Sequence, residues 1–317
     1  AIRNLPGVLN GRFLDTGITE QTMIGMAAGL ALRGRVAIAH ALAAFLTMRA
    51  FEFVRTDVGI GQLPVKLVGG VPGFLSDGNG PTHQALEDIS LMRGIPGMQI
   101  FCPADEAELV LGLPSFLATP NPVYIRHNAL PAAIDHDPHF AIGQAEMVQD
   151  GRDVTILVYG MLFREALAAS ELLAAQGISV RLLNLRTVWP VDETAVLAAA
   201  HQTKLLVTIE DHFLTGGLFS IVSELLVRQG VAARVLPITL ANRWFQPALL
   251  DDVLAYEGFT GPQLAQKIQE YLATDFTDKD LQSVTFFADS NLARESVIPA
   301  KAGIHLASRS GFPHSRE

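Results

Sequence analysis

The sequence contains little cysteine and little positive charge. Its 317 residues include one cysteine, Cys102, which excludes an internal disulfide and is typical of proteins in a reducing cytoplasm. Lysine and arginine number 23 against 32 aspartates and glutamates, and the net charge is −9. Because a broad nucleic-acid surface needs clustered basic residues, we expect no nucleic-acid partner.

No apolar run approaches the roughly 20 residues that cross a bilayer. The longest one, residues 36–48, is interrupted by His40, and the chain opens without a signal peptide. We therefore expect no membrane association and a cytoplasmic location. The first residue is alanine rather than methionine, which predicts that the natural N-terminus is missing.

Short apolar strands alternate with helices in both halves of the chain, a pattern typical of parallel sheets covered by helices on both faces. The sequence therefore predicts an α/β fold with two doubly wound, mostly parallel-sheet domains, at 1–131 and 143–273. Residues 131–142 are expected to link them. In the first domain the pattern predicts a strand at 12–15 and helices at 19–33 and 44–57, among other elements. Periodicity fades after about residue 275, so we expect a disordered tail over 275–317.

Three segments of the first half carry candidate chemistry. Glu20 stands where a loop turns into a helix, a position that also suits an ordinary first-turn glutamate. Phe45, Met48 and Phe51 recur three residues apart, which indicates either a core stripe or one wall of a slot for a flat ring. The third segment is a glycine-rich loop that follows a strand, holds Asn79 and ends at His83. Glycines in such number suggest that backbone passes close to a ligand.

These segments resemble the transketolase family in order and spacing. The resemblance rests on residues 17–21 (GITEQ), 44–46 (AFL), 80–84 (GPTHQ) and 124–128 (YIRHN) in the first half. In the second half it rests on 183–187 (LNLRT) and 209–212 (IEDH). It covers about residues 12–270 and implies the family's pyrimidine-binding domain followed by its C-terminal domain. Within the family the chain is most similar to the C-terminal section of split, two-subunit bacterial enzymes.

The resemblance implies a thiamine diphosphate enzyme that transfers a two-carbon ketol unit between sugar phosphates. Glu20 would hydrogen-bond N1′ of the aminopyrimidine and promote loss of the thiazolium C2 proton. Phe45, Met48 and Phe51 would line the ring slot. On the substrate side, the resemblance implies a catalytic role for His83, contact with the sugar at Asn79 and His83, and a phosphate contact at Arg126.

The chain also departs from the family pattern. The strand that precedes the Glu20 motif is missing, and no Gly-Asp-Gly…Asn motif for magnesium and diphosphate occurs. The resemblance then implies an N-terminal partner subunit that binds the diphosphate and most of the Mg²⁺, in a homodimer of heterodimers. Asn79 and Val71 replace the family's Asp and His. Alternatives are the beta-type subunit of a 2-oxo acid dehydrogenase, a 1-deoxyxylulose-5-phosphate synthase-like enzyme, or a non-catalytic assembly subunit.

Overall fold

Two five-stranded sheets organise the protein in a computed structural model that describes residues 4–274. The first sheet has the order β1-β2-β4-β3-β8 and the second has the order β10-β9-β6-β7-β5. The strands are β1 Ile38–Leu42, β2 Lys66–Gly70, β3 Gln99–Phe101, β4 Val123–His127, β5 Glu146–Gln149, β6 Val154–Val158, β7 Val180–Asn184, β8 Thr187–Trp189, β9 Leu205–Phe213 and β10 Val235–Leu240. All neighbours pair in parallel except β8 against β3 and β5 against β7.

Helices cover these sheets. They are α1 Leu5–Leu9, α2 Glu20–Leu32, α3 Phe51–Phe53, α4 Asp88–Arg93, α5 Glu106–Ala118, α6 Phe163–Ala175, α7 Glu193–Gln202, α8 Leu218–Gln229, α9 Leu250–Glu257 and α10 Gly261–Ala273. Two π-helical segments, Phe45–Arg49 and Val54–Gly59, flank α3. Two 3₁₀ segments, Gly73–Asn79 and Gly160–Leu162, follow β2 and β6.

The interior strands are buried on both faces because helices pack on each side. All five residues of β6 are buried, and all of β7 as well. Their Val- and Leu-rich sequences are what a parallel strand with two covered faces requires. The expected fold class, two mostly parallel sheets with helices, is therefore confirmed.

Several local expectations need correction. Residues 12–15 form no strand, since the edge strand β1 pairs with β2 alone and offers this segment no hydrogen-bonded neighbour. The expected helix at 44–57 is not a regular α-helix but the succession of π-helical and α-helical turns that starts at Phe45. The pattern did not predict β5 or β8, because strands of four and three residues are too short to show a periodicity, and it also did not predict the eight-residue helix α9.

The second half of the chain contributes directly to the first sheet. Strand β8 pairs with β3, and the backbone N–H of Cys102 donates to the carbonyl of Arg186 at 3.0 Å. Two backbone segments from distant parts of the chain thus share hydrogen bonds. The boundaries 1–131 and 143–273 stay a prediction, and the expected tail lies outside the described residues.

Among residues 4–274, no helix is both long enough and apolar enough to cross a membrane.

Candidate functional site

Glu20 is the first residue of α2 and is nearly buried, with 7 % of its surface exposed. The positive end of the helix dipole favours a carboxylate at this position. Helix α2 packs into the core through Ile24, Ala27 and Ala28, and the small side chains of the two alanines let the helix lie close to its neighbours. The helix thus holds the carboxylate at a fixed place in an apolar surrounding.

Arg49 connects Glu20 to Phe45. Its Nη1 donates to Oε2 of Glu20 at 3.1 Å, and its guanidinium carbon lies 4.0 Å from the centre of the Phe45 ring. Gln21 adds a hydrogen bond from its Nε2 to the Arg49 carbonyl at 3.3 Å. These contacts join the start of α2 to the π-helical segment that follows β1, at the carboxyl end of the sheet where ligands of open α/β folds bind.

Phe45 and Met48 lie together, whereas Phe51 lies elsewhere. The first two are half-buried beside Ala43, Ala44 and Ala85, and Phe51 packs against the large apolar cluster to which both halves of the chain contribute. The hydrogen bond from the Ala50 N–H to the Phe45 carbonyl, at 3.2 Å, is of the wide π-helical type. This wide turn changes the angle around the helix axis between Phe45 and Phe51, so the expected three-residue wall is not formed as one surface.

His83 completes one side of the Phe45 ring. The two rings meet edge to face with their centres 4.9 Å apart. The Thr82 hydroxyl lies 2.8 Å from Nδ1 of His83, and the backbone N–H of His83 donates to the Gly80 carbonyl at 3.0 Å. The structure therefore brings His83, Phe45 and, through Arg49, Glu20 into one neighbourhood.

The glycine-rich loop contains backbone strain. Val71, directly after β2, has φ of 48°, an outlying conformation for a β-branched residue. Asp77 has φ of 49° and ψ of −130°. Asn79 is exposed, and its Nδ2 donates to the Ser76 carbonyl at 2.7 Å. Strain of this kind is concentrated at functional sites, so it favours a functional role for the loop.

Arg126 belongs to a buried ion-pair network. It is 2 % exposed, its Nη1 donates to Asp211 at 2.6 Å, and its Nε donates to Asp88 at 2.9 Å. Tyr124 donates to the same Asp88 oxygen at 2.7 Å. The structure therefore shows this guanidinium buried and bonded to two carboxylates, and the expectation that Arg126 binds a substrate phosphate stays a prediction. Burial raises the pKa of Asp211, although Arg126 opposes the rise.

The sequence reasoning missed Arg49, Asp88 and Asp211. Arg49 follows Phe45 by four residues, a spacing that can place a cation beside an aromatic ring. Asp88 and Asp211 stand among apolar residues of buried elements, where an ionised side chain needs a partner. That signal could have identified Arg126 as their counter-ion.

A second buried network joins the linker to both domains. Among residues 4–274, Glu108, His136 and Glu146 place one ligand atom each within 4.8 Å of one another, a spacing that could suit a metal ion. However, Glu108 already accepts from Asn184 at 2.7 Å and from Arg186 at 2.8 Å. Magnesium also prefers an all-oxygen ligand set. We interpret these residues as a structural network and not as the magnesium site.

The Glu20 site fits the aminopyrimidine of thiamine diphosphate. Such a ring needs a carboxylate beside one nitrogen and an apolar surface against its face. The guanidinium of Arg49, which is also planar and rich in N–H groups, makes these two contacts here, with Glu20 and with Phe45. The residues present thus suit a flat, nitrogen-bearing ring.

Comparisons with known proteins agree with this interpretation. Residues 4–131 match the family model of the transketolase pyrimidine-binding domain, and residues 143–264 match that of the transketolase C-terminal domain. The chain is 42 % identical over 228 residues to a 6-deoxy-6-sulfo-D-fructose transketolase subunit from Clostridium sp. (strain MSTE9), covering 71 % of each chain. It is 33 % identical to 1-deoxy-D-xylulose-5-phosphate synthase from Syntrophotalea carbinolica, with 84 % of this chain matching 42 % of that enzyme.

A solved structure titled as a split gene transketolase, inactive beta4 tetramer, superimposes with a TM-score of 0.78 and 31 % identity. The match covers 85 % of this chain and 89 % of that one. The chain therefore belongs to the transketolase family and carries the pyrimidine-binding and C-terminal domains of a thiamine diphosphate-dependent transketolase-type enzyme.

Proposed function

We propose that the chain catalyses transfer of a two-carbon ketol unit between sugar substrates, in complex with a separate subunit that binds the cofactor's diphosphate. The observation that carries this proposal is the nearly buried carboxylate of Glu20 beside the half-buried ring of Phe45, joined by the planar guanidinium of Arg49. A carboxylate and an aromatic face are the two groups that the aminopyrimidine needs.

Each residue of the site has a distinct role in this proposal. Thiamine diphosphate, when bound, supplies the nucleophilic carbon that takes up the ketol unit. Glu20 shares a proton with the aminopyrimidine nitrogen, and Phe45 with Met48 supports the ring. His83, held by Thr82 at Nδ1, exchanges a proton with a substrate hydroxyl through its other nitrogen.

The diphosphate and Mg²⁺ are assigned to the partner subunit. Within residues 4–274, the one His/Asp/Glu group spaced to hold a metal is the linker network, whose ligand atoms already have protein partners. The relative named as a transketolase subunit and the solved structure titled as a split gene transketolase support an enzyme divided between two chains. We infer a homodimer of heterodimers. The buried free thiol of Cys102 supports a reducing, cytoplasmic location.

The substrate is proposed to differ from the common pentose phosphates. Asn79 is a neutral amide where the family has a carboxylate, and charge-assisted hydrogen bonds to a sugar hydroxyl are roughly twice as strong as neutral ones. Loss of such a bond corresponds to about 1–3 kcal/mol, or roughly ten- to hundredfold in rate. We expect xylulose 5-phosphate and ribose 5-phosphate to be poor substrates and Asn79→Asp to improve them. Sugars substituted at C6, including 6-deoxy-6-sulfo sugars, belong in the same substrate panel.

The proposal is tested on the chain co-expressed with the diphosphate-binding transketolase subunit of the same genome. We expect Glu20→Gln to lower both C2-proton exchange of the bound cofactor and ketol transfer by about 100-fold or more, because an amide cannot share the proton. Glu52→Gln, at an exposed glutamate of α3, is the matched control and should change neither rate. An unchanged exchange rate in Glu20→Gln would remove Glu20 from the mechanism.

A further inference from the structure

The loop that carries Asn79 and His83 packs on the C-terminal half of the chain. Phe74, in the first turn of the 3₁₀ segment Gly73–Asn79, is 1 % exposed and meets Phe245 edge to face with ring centres 5.2 Å apart. Phe245 is also 1 % exposed and lies between β10 and α9. A buried aromatic pair thus joins the loop to the second domain.

A second contact lies at Gly80, between Asn79 and His83. A Cβ atom built on Gly80 would stand 3.4–3.6 Å from three ring carbons of Pro247, so the proline ring lies directly against this glycine. The carbonyl of Gly80 accepts the N–H of His83 at 3.0 Å and that of Gln84 at 3.1 Å. Pro247 therefore supports Gly80, whose carbonyl holds the backbone of His83.

Two further bonds tie the segment directly after the loop, at Leu86 and at Ser90 of α4, to the carboxyl end of β9. The N–H of Phe213 donates to the Leu86 carbonyl at 3.0 Å, and the N–H of Ser90 donates to Nε2 of His212 at 3.3 Å. Phe213 in turn packs against Phe245, with ring centres 6.4 Å apart. Both the beginning of the loop and the segment that follows it are thus attached to the same region of the C-terminal half.

A glycine-rich loop has little stiffness of its own, because glycine backbone visits many conformations. Its shape must then come from what it packs against. Reacting groups lose about a hundredfold in rate when they are misplaced by 1 Å. The position of His83 relative to Phe45 consequently depends on residues outside the pyrimidine-binding domain.

We propose that Phe245 and Pro247 of the C-terminal half are positioning residues for the substrate side of the site, fixing the loop that presents Asn79 and His83. This inference rests on the proposed function, since it assumes that the loop faces the sugar. Glu20, Phe45 and Arg49 are carried by α2 and the π-helical segment, not by this loop. The C-terminal half thereby affects sugar binding and leaves cofactor activation alone.

The test uses the chain co-expressed with its diphosphate-binding subunit and the variants Pro247→Ala and Phe245→Ala. Pro247 is exposed, so its replacement leaves the core intact and keeps the test valid if Phe245→Ala does not fold. Leu173→Ala is the control, since Leu173 is a buried residue of α6 in the same apolar cluster as Phe245. Each protein is compared in C2-proton exchange, melting temperature and steady-state kinetics with a panel of donor and acceptor sugars that includes 6-deoxy-6-sulfo sugars.

We expect Pro247→Ala and Phe245→Ala to keep C2-proton exchange within about twofold of the unmodified pair while KM for the sugars rises about tenfold. Leu173→Ala should lower the melting temperature and leave KM unchanged. The inference is overturned if KM is unchanged in Pro247→Ala and in folded Phe245→Ala, or if Leu173→Ala raises KM equally. Absence of both exchange and transfer in the unmodified pair would instead refute the proposed function.

Discussion

Arg49 lies at the point where the candidate cofactor ring would bind. Its side chain is 42 % exposed, so the ion pair with Glu20 is weak, at about 0.2–1 kcal/mol, and the cation–π contact with Phe45 adds a similar amount. A cofactor ring that takes this place must break both contacts. Their loss costs about 1 kcal/mol, which weakens the affinity for the cofactor roughly fivefold.

We predict that Arg49→Ala strengthens binding of thiamine diphosphate to the reconstituted pair by about three- to tenfold, because the slot no longer has to release a guanidinium. Calorimetric titration with the cofactor in the presence of magnesium measures this. Arg55→Ala, at an exposed arginine of the next helical segment, should leave affinity unchanged. Weaker binding in Arg49→Ala would identify Arg49 as a cofactor ligand instead.

Arg126 is the buried counter-ion of Asp88 in the first half and of Asp211 in the second half. Removal of its charge would leave Asp88 and Asp211 buried without a counter-ion, and breaking such a pair costs about 3–5 kcal/mol. We therefore predict that Arg126→Met lowers the free energy of unfolding by about this amount, measured by urea denaturation. Arg152→Met, at an exposed arginine, should cost little. A stable Arg126→Met protein with a raised KM would support the phosphate-binding role.

At the scale of elements, the linker between the domains is held through His136. Its Nδ1 bonds Glu146 at 2.7 Å and its Nε2 bonds Asp105 at 3.0 Å, so both ring nitrogens donate. Burial alone would lower the pKa of His136, but the hydrogen bonds to Glu146 and Asp105 raise it to about 9. Burial would raise the pKa of Glu146, yet the bonds it accepts lower it to about 2.

The signs of these shifts predict how stability depends on pH. The raised pKa of His136 gives a stabilisation that is complete below about pH 6.5 and is lost as pH rises through about 9. The lowered pKa of Glu146 gives a second stabilisation, which is present above about pH 4.5 and is lost as pH falls through about 2. Glu108 and Arg186 also face this cluster. Burial raises the pKa of Glu108 to about 7, so this carboxyl group also changes its charge near neutral pH.

We predict that the free energy of unfolding falls by about 3 kcal/mol between pH 6.5 and 9 through this one group, since each pKa unit corresponds to 1.36 kcal/mol. His136→Gln should show a flatter profile over the same range. Urea denaturation at several pH values, on both proteins, measures the difference. Parallel profiles for the two proteins would show that His136 is neutral in the folded state.

At the scale of the whole molecule, the first half exposes many large apolar side chains, which favours association with another protein surface. Within residues 4–60, those with more than half of their surface exposed are Val8, Leu14, Ile18, Leu32, Val36, Ile38 and Ile60. These residues lie in or near, along the chain, the two elements that carry Glu20 and Phe45, which are α2 and the first π-helical segment. A partner subunit that covers this surface would enclose the candidate cofactor slot.

We predict that the isolated chain binds thiamine diphosphate at least about tenfold more weakly than the reconstituted pair, because the diphosphate contacts are assigned to the partner. Titration calorimetry with and without magnesium, on the chain alone and on the pair, makes the comparison. Tight, magnesium-dependent binding to the chain alone would contradict the division of the site between two subunits.

Local patterns were enough to predict the fold class and part of the site. Strand–helix alternation and near-continuous apolar strands such as β6 depend on neighbours in sequence, so they are visible in one dimension. Glu20, Phe45 and His83 were marked by motifs, and the structure places them in one neighbourhood. Their catalytic roles stay predictions.

The sequence by itself determined the two-domain α/β architecture and the segments that carry the candidate chemistry. Only the tertiary structure decided which side chains are already committed to one another. Arg126 meets Asp88 and Asp211, which are 38 and 85 residues away, and the substrate loop rests on Phe245. The physical reason is that burial and ion pairing depend on distances in space, and these pairs are brought together only when the two sheets pack.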